Sequence, residues 1–208
     1  MTTTPADTKS RILDVAEELF AEQGLDRVSI RDITEAAGVN LAAVNYHFGR
    51  KEELIGAVFE RRLNPLNAAR IEALRKLRQS RNGKPPKVEQ ILEAFVRPTL
   101  TCCPEGPKGA NAFGRLFGRC LAEPRPDVEA LLRRQFEPLV EELDGALMKA
   151  LPHLSRREIF WRMKFTFGAL HHWLLTRDRF LPAWAAGTDL EDQIQKLIGF
   201  AAAGLKAK

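Results

Sequence analysis

The 208-residue sequence predicts an all-α protein, a three-helix headpiece followed by a larger helical domain. Three observations carry that expectation. Strand-like alternation of apolar and polar residues is nearly absent. Apolar residues recur at three- and four-residue spacing over long stretches, as amphipathic helices require. Between Ser29 and Phe48, SIRDITEAAGVNLAAVNYHF fits two short helices around a tight turn into twenty residues, the layout of a helix-turn-helix. The division expected from these patterns is residues 1–50 for the headpiece and 51–208 for the larger domain.

The first helix opens at Asp7 or Thr8, buries a stripe of Ile12, Ala16, Leu19 and Phe20, and stops at Gly24. Ser29 with Asp32 reads as a capping box, and Ile30, Ile33 and Ala37 share one face of the helix that follows. Gly38 ends it, where a residue without a Cβ tolerates positive φ and lets two helices cross closely. Asn40 caps the next helix, with Val44 and Phe48 inward. Lys51 starts a fourth helix with Leu54, Ile55, Val58 and Phe59 inward; it runs toward Arg78, and Pro65 is expected to kink or break it.

After the loop SRNGKPPK, helices are expected from Val88 to about Leu100, from Ala112 to Leu121, and from Asp127 to about Leu151, with CCPEGPKG as a turn-rich break. Ser155 with Glu158 opens a helix to about Arg179 whose apolar groups occupy too many faces for one amphipathic helix. The simplest cover is a second copy of the chain, with a purely intramolecular core as the alternative. Asp189 to Leu205 supplies a matching helix with small residues for close approach. The expected homodimer interface is Ile159, Met163, Leu170, Leu174, Ile194, Leu197, Ile198, Ala201 and Leu205.

The outer face of the helix-turn-helix carries the residues expected to meet double-stranded DNA: Ser29, Arg31, Asn40, Leu41, Ala42, Asn45, Tyr46, His47 and Lys51. Leu41 and Ala42 leave a slim surface for the major groove, and Asn45 suits the paired donor and acceptor of an adenine edge. Arg31 stands four before Glu35, so an exposed ion pair is its bland alternative. Tyr46 and His47 have packing as theirs. Lys51 lies in a helix first turn, where the macrodipole disfavours a cation unless a phosphate is near.

The run Ser-x-Arg-Asp-Ile, Ala-Ala-Gly-Val and Val-Asn-Tyr-His-Phe, then Lys51 and Leu54, resembles the DNA-binding region of the TetR family of bacterial transcriptional regulators over about residues 7 to 60. Within it, GVNLAAVNYHFG is similar to a subgroup whose members often respond to acyl chains or other apolar molecules. The resemblance implies a repressor that binds a near-palindromic operator as a dimer, with the last two long helices of each subunit forming the interface. It also implies a variable ligand-binding domain. Asn45 departs from the aromatic residue often found at its position, so operator sequence does not carry over from relatives.

An apolar effector is expected among Phe95, Phe113, Phe117, Phe136, Phe167, His171 and Trp173, with Arg115, Arg119 or His171 placed to pair with an acidic head group. Core packing is the competing reading of these aromatics. Acyl chains lead the candidates, from the resemblance alone, followed by acyl thioesters and aromatic acids.

Net charge is +5, yet residues 1–50 hold five cations against eight anions, a balance of −3. Attraction to DNA must therefore come from local placement of Arg31, Arg50 and Lys51. No apolar run approaches the roughly 20 residues needed to span a bilayer, and the start lacks a secretory h-region, so a cytoplasmic protein without a membrane partner is expected. Cys102, Cys103 and Cys120 lack zinc-site spacing and read as reduced thiols; no cofactor or metal is expected. The alternatives are a constitutive DNA-binding protein without effector, or an enzyme pairing Cys120 with His153, His171 or His172. The last two histidines project about 100° apart on a helix and do not serve one small site.

Overall fold

The computed structural model describes residues 5–79, 84–101, 109–123, 125–176, 182–183 and 187–207. Among them the regular elements are all helices, in the order α1 (Pro5–Gln23), α2 (Ile30–Ala37), α3 (Leu41–Phe48), α4 (Lys51–Gln79), α5 (Val88–Thr101), α6 (Gly109–Ala122), α7 (Pro126–Ala150), α8 (Arg156–Thr176) and α9 (Leu190–Lys206). The expected all-α fold is what forms. Cys102 and Cys103, most of the CCPEGPKG segment and Arg179 lie outside the described residues.

Pro65 does not break α4, contrary to the sequence expectation. A proline inside a helix removes one hydrogen bond and crowds the preceding turn, at about 3 kcal/mol. Leu63, Leu66, Asn67 and Arg70 are buried on both sides of it, and that packing holds the helix through the defect.

The described chain clusters into two compact units. The first takes α1 to α3, α4 up to Asn64, α6, and α7 up to Gln135. The second takes α4 from Pro65, α5, α7 from Phe136, α8 and α9. The expected boundary at residue 50 differs from this one. The reason is that α6 packs along α1, so a segment far away in sequence completes the headpiece core.

In the first unit Ile12, Phe20, Ile33, Val44, Leu54 and Phe59 are fully or almost fully buried. Phe113 and Phe117 of α6 join them, with the Phe59 and Phe113 rings 5.8 Å apart and edge-on, and Phe113 and Phe117 6.0 Å apart. Charge ties α1 to α4 as well. Glu17, only 2% exposed, accepts from Arg61 Nη2 at 2.8 Å and from Arg62 Nε and Nη2 at 2.9 and 2.8 Å, while Arg61 Nη1 also reaches Asp14 at 2.6 Å.

The second unit has its own core, including Leu74, Ile91, Leu92, Phe95, Leu139, Leu147, Ile159, Leu170, Ile198 and Leu205. Here α9 packs on α5 and α8. Six of the nine residues expected at the dimer interface (Ile159, Leu170, Ile194, Ile198, Ala201 and Leu205) are buried in this core within one chain. Met163, Leu174 and Leu197 pack against it. The assignment is therefore corrected for those six. The stripe with regular three- and four-residue spacing faces the unit's own interior, and the outward residues of α8 are the irregular surplus: Phe160, Trp161 and Phe165, 52%, 44% and 70% exposed. On α9 the outward aromatic is Phe200, at 70%.

Candidate nucleic-acid interface

The ends of α2 and α3 are fixed by local devices. At the start of α2, Ser29 is extended (φ −92°, ψ 163°), its Oγ accepts from the Asp32 N–H at 3.2 Å, and its own N–H donates to Asp32 Oδ2 at 2.7 Å. Hydrogen bonding from Ser29, its backbone N–H first and its hydroxyl next, holds the Asp32 carboxyl below the ordinary carboxylate range, and the nearby charge of Lys51 adds to the effect.

At the end of α2, Gly38 takes the left-handed conformation (φ 61°, ψ 40°), while its N–H and that of Val39 close back on Glu35 and Thr34 carbonyls at 3.1 and 3.0 Å. A Cβ at that φ costs about 1 kcal/mol or more. Asn40 then caps α3, its Oδ1 accepting from the Ala43 N–H at 2.8 Å. Gly49 (φ 70°, ψ −95°) ends α3, and Glu53 Oε2 accepts from the Arg50 N–H at 3.1 Å to open α4.

The result is a short helix, α3, with a clear inside and outside. Val44 and Phe48 are buried at 0% and 7%, while Leu41, Ala42, Asn45 and Tyr46 are exposed, Tyr46 to 83%. Ser29, Arg31 and Asn40 are exposed too, and Lys51 is half-buried. Arg31 forms no ion pair with Glu35 among the described residues, and its backbone carbonyl accepts from Thr34 Oγ1 at 2.8 Å. His47 is half-buried, with ring centroids 5.1 Å from Tyr46 and 6.0 Å from Phe48. Lys9, one of the five headpiece cations, places its Nζ 5.9 Å from the Phe48 ring centroid. Only the fold brings α1 that close to the end of α3.

The residues expected to line an effector pocket fall into two groups. Phe113 and Phe117 belong to the first unit, in the ring cluster with Phe59. Phe95, Phe136, Phe167, His171 and Trp173 belong to the second. There Phe136 meets Phe167 edge-on at 6.2 Å, and Phe167 stacks on His171 at 6.3 Å and 10° between planes. Burial, with the charge of His172 as a smaller cause, holds the His171 imidazole below its ordinary pKa. Trp173 Nε1 donates to Gln193 Oε1 at 2.9 Å. Phe95 lies under the buried Arg70, whose guanidinium carbon is 4.3 Å from the ring centroid and whose Nε donates to the Phe95 carbonyl at 2.9 Å.

In the first unit a crevice of about 140 Å³ is lined by Leu25, Asp26, Arg119, Cys120, Glu123 and Arg125. It is mixed in charge and smaller than the roughly 300 Å³ at which ligand sites begin. Arg119 donates weakly to the Glu22 carbonyl at 3.4 Å, Arg125 pairs with Asp26 at 2.5 Å, and Arg115 is exposed. Burial pushes the Cys120 thiol up to about 11, well away from thiolate reactivity at neutral pH. Among the described residues no group of three metal-ligating side chains converges, and no helix is long and apolar enough to cross a membrane.

Two family profiles match this chain. Residues 12–58 match "Bacterial regulatory proteins, tetR family", and residues 93–204 match "Tetracyclin repressor-like, C-terminal domain". The HTH-type transcriptional regulator AcrR of Shigella flexneri is 41% identical over 54 residues, 26% of this chain and 25% of that protein. The HTH-type transcriptional repressor KstR2 of Rhodococcus jostii (strain RHA1) is 37% identical over 73 residues, 32% of this chain and 36% of that one. The chain thus spans about a quarter to a third of the length of these curated relatives.

Whole-chain likeness appears in three dimensions. The fatty acid degradation regulator FadR from Bacillus halodurans superposes with a TM-score of 0.66 at 17% identity, covering 100% of both chains. A transcriptional regulator from Saccharomonospora viridis in complex with choline gives 0.64 at 17% identity, covering 94% of this chain and 95% of that one. With one profile spanning the helix-turn-helix and the other more than half of the sequence, the chain belongs to the TetR family of bacterial regulatory proteins.

Proposed function

We propose that the protein is a ligand-responsive transcriptional regulator, a repressor that holds a near-palindromic operator as a homodimer and leaves it when a small apolar effector binds. The observation that carries the reading is the rigidly capped α2–turn–α3 unit, which buries Val44 and Phe48 and turns Leu41, Ala42, Asn45 and Tyr46 outward. Ser29, Arg31, Asn40, His47 and Lys51 flank that face and supply backbone contacts to phosphate. In Asn40 the oxygen is already spent on the cap, so its amide N–H groups are what remains for DNA. The protein acts in the cytoplasm, where such an operator lies.

Dimerisation uses the outward face of α8 and α9. Phe160, Trp161 and Phe165 on α8 and Phe200 on α9 are large aromatic groups left in water, beside exposed Gly168, Gly199 and Gly204. Clustered apolar exposure of this kind marks a protein contact. Two copies of the headpiece must reach half-sites about 34 Å apart on one face of DNA. An effector acts by its differential affinity for the conformations that fit this spacing and those that do not.

The effector is apolar with at most one polar or acidic end, held in the second unit near Phe95, Phe136, Phe167, His171 and Trp173. The regulators of similar fold named for fatty acid degradation or seen with choline keep small organic effectors in view without choosing among them. The test is direct. Binding sites are selected from random duplex DNA with the full-length protein, and acyl chains, acyl thioesters and aromatic acids are then titrated against the complex. Release at micromolar ligand supports the reading. Release only by hydrophilic sugars or metal ions sinks the apolar effector, and failure to select any sequence sinks the regulator.

A further inference from the structure

The chemistry of the outward face of α3 specifies more than contact with DNA. Helix α3, LAAVNYHF, contains no Lys, Arg, Asp or Glu. Its side chains fall into two strips of neighbours spaced four apart, Leu41 with Asn45 and Ala42 with Tyr46. All four are exposed, Leu41 at 48%, and the Asn45 carboxamide makes no hydrogen bond among the described residues. Asn40 differs in this respect, since its oxygen caps the helix.

Each base pair offers the major groove a distinct edge. Guanine presents two acceptors best met by Arg or Lys, cytosine presents an amino donor best met by a carboxylate, adenine suits a carboxamide, and thymine presents a methyl that calls for an apolar partner. The outward face of α3 has neither of the first two groups. It has one unengaged carboxamide beside two apolar side chains, with Tyr46 as the fourth exposed group. Arg31 belongs to α2 and is not part of these strips.

The geometry points to readout of adjacent A·T pairs by α3, in which Asn45 takes an adenine edge and Leu41 and Ala42 take the 5-methyl groups of neighbouring thymines. This makes Leu41 and Ala42 specificity-determining residues and rests on the reading of α3 as the groove helix. A slim apolar strip is what lets the methyls approach: a longer polar side chain at Leu41 or Ala42 would hold the backbone away and demand a hydrogen-bonding partner that thymine's methyl lacks.

The experiment uses the full-length protein and duplexes it selects from random DNA. Each thymidine of the half-site is replaced in turn by 2′-deoxyuridine, which deletes the methyl and leaves base pairing intact. The expected half-site contains at least two adjacent A·T pairs. At one or more of their thymines, uracil weakens binding about fourfold, the equivalent of about 0.8 kcal/mol for one methyl-sized apolar group. In Leu41→Ala or Ala42→Gly, the penalty at the matching thymine disappears.

Three results overturn the inference, and they are distinguishable. If no duplex is enriched, DNA reading itself fails. If selected duplexes bind tightly yet uracil changes nothing, methyl readout alone is wrong. If uracil weakens wild type and both variants equally, the methyls act through the shape of the DNA and these two side chains do not read them.

Discussion

Replacing Glu17 by Gln removes the charge at the centre of the link between α1 and α4 and leaves two guanidinium groups facing an amide. In the wild type this 2%-exposed carboxylate accepts from Arg61 Nη2 at 2.8 Å, and from Arg62 Nη2 at 2.8 Å and Nε at 2.9 and 3.2 Å. The substituted carboxamide would keep one acceptor and point an N–H donor at donors. Breaking a buried ion pair costs about 3–5 kcal/mol because the partner charge stays behind. The Arg61 and Arg62 side chains are 23% and 29% exposed, so water relieves part of that, and Arg61 keeps Asp14 at 2.6 Å. Discounted for that screening, the expected loss is about 2–3 kcal/mol.

For a chain of this size that is a fall in Tm of about 4–12 °C. The assay is urea unfolding followed by circular dichroism, comparing midpoints at equal slope. All three tryptophans, Trp161, Trp173 and Trp184, lie outside the residues that form the first unit, so fluorescence reports elsewhere and its midpoint should move less. Asp14→Asn is the control: Asp14 is 63% exposed, and its loss should cost at most about 1 kcal/mol. A change below about 0.5 kcal/mol in Glu17→Gln, or an equal loss in both variants, refutes the argument that burial sets the worth of this network.

Four further outcomes are expected. Ser29→Ala removes the cap on α2 and should cost about 1 kcal/mol in urea unfolding; because the Asp32 pKa is depressed in the fold, its contribution is present above 3.8 and fades as pH falls below, so the variant should also show a shallower acid limb. Lys51→Ala should lower the slope of log affinity against log salt by about 1 for every duplex tested, and an unchanged slope removes Lys51 from the phosphate contacts. Phe165→Glu should give a folded monomer by sedimentation, whereas Ile198→Glu, at a site 4% exposed in the core of one chain, should fail to fold; a stable dimer in Phe165→Glu moves the interface elsewhere. His171 has a pKa lowered by burial, so the fold gains from its neutral form above the ordinary value of 6.5 and loses that gain as pH falls; His171→Phe should flatten the decline in stability between about pH 7 and 5, and an unaltered decline assigns it to other groups.

The local devices of the headpiece were legible in the sequence because each is a short-range contract between neighbours. The Ser29–Asp32 box, the left-handed Gly38, the Asn40 cap and the inward pair Val44 and Phe48 all involve residues at most five apart, and all form as read. Helix identity was legible for the same reason. What sequence alone misassigned is the choice of partner for an apolar stripe: Ile159, Leu170, Ile194, Ile198 and Leu205 have the spacing of an interface, but periodicity says only that a face is covered, not by which chain.

Tertiary structure also decided that α6 lies on α1, which draws Phe113 and Phe117 into the headpiece core, and that buried neighbours carry α4 through Pro65. It paired Glu17 with Arg61 and Arg62, forty-four and forty-five positions away. Contacts at such separation depend on how whole helices pack, and no local pattern of residues encodes that. The sequence by itself thus determined the helices, their caps and the outward face of α3, whereas the packing of one helix on another determined which apolar faces remain for a second chain.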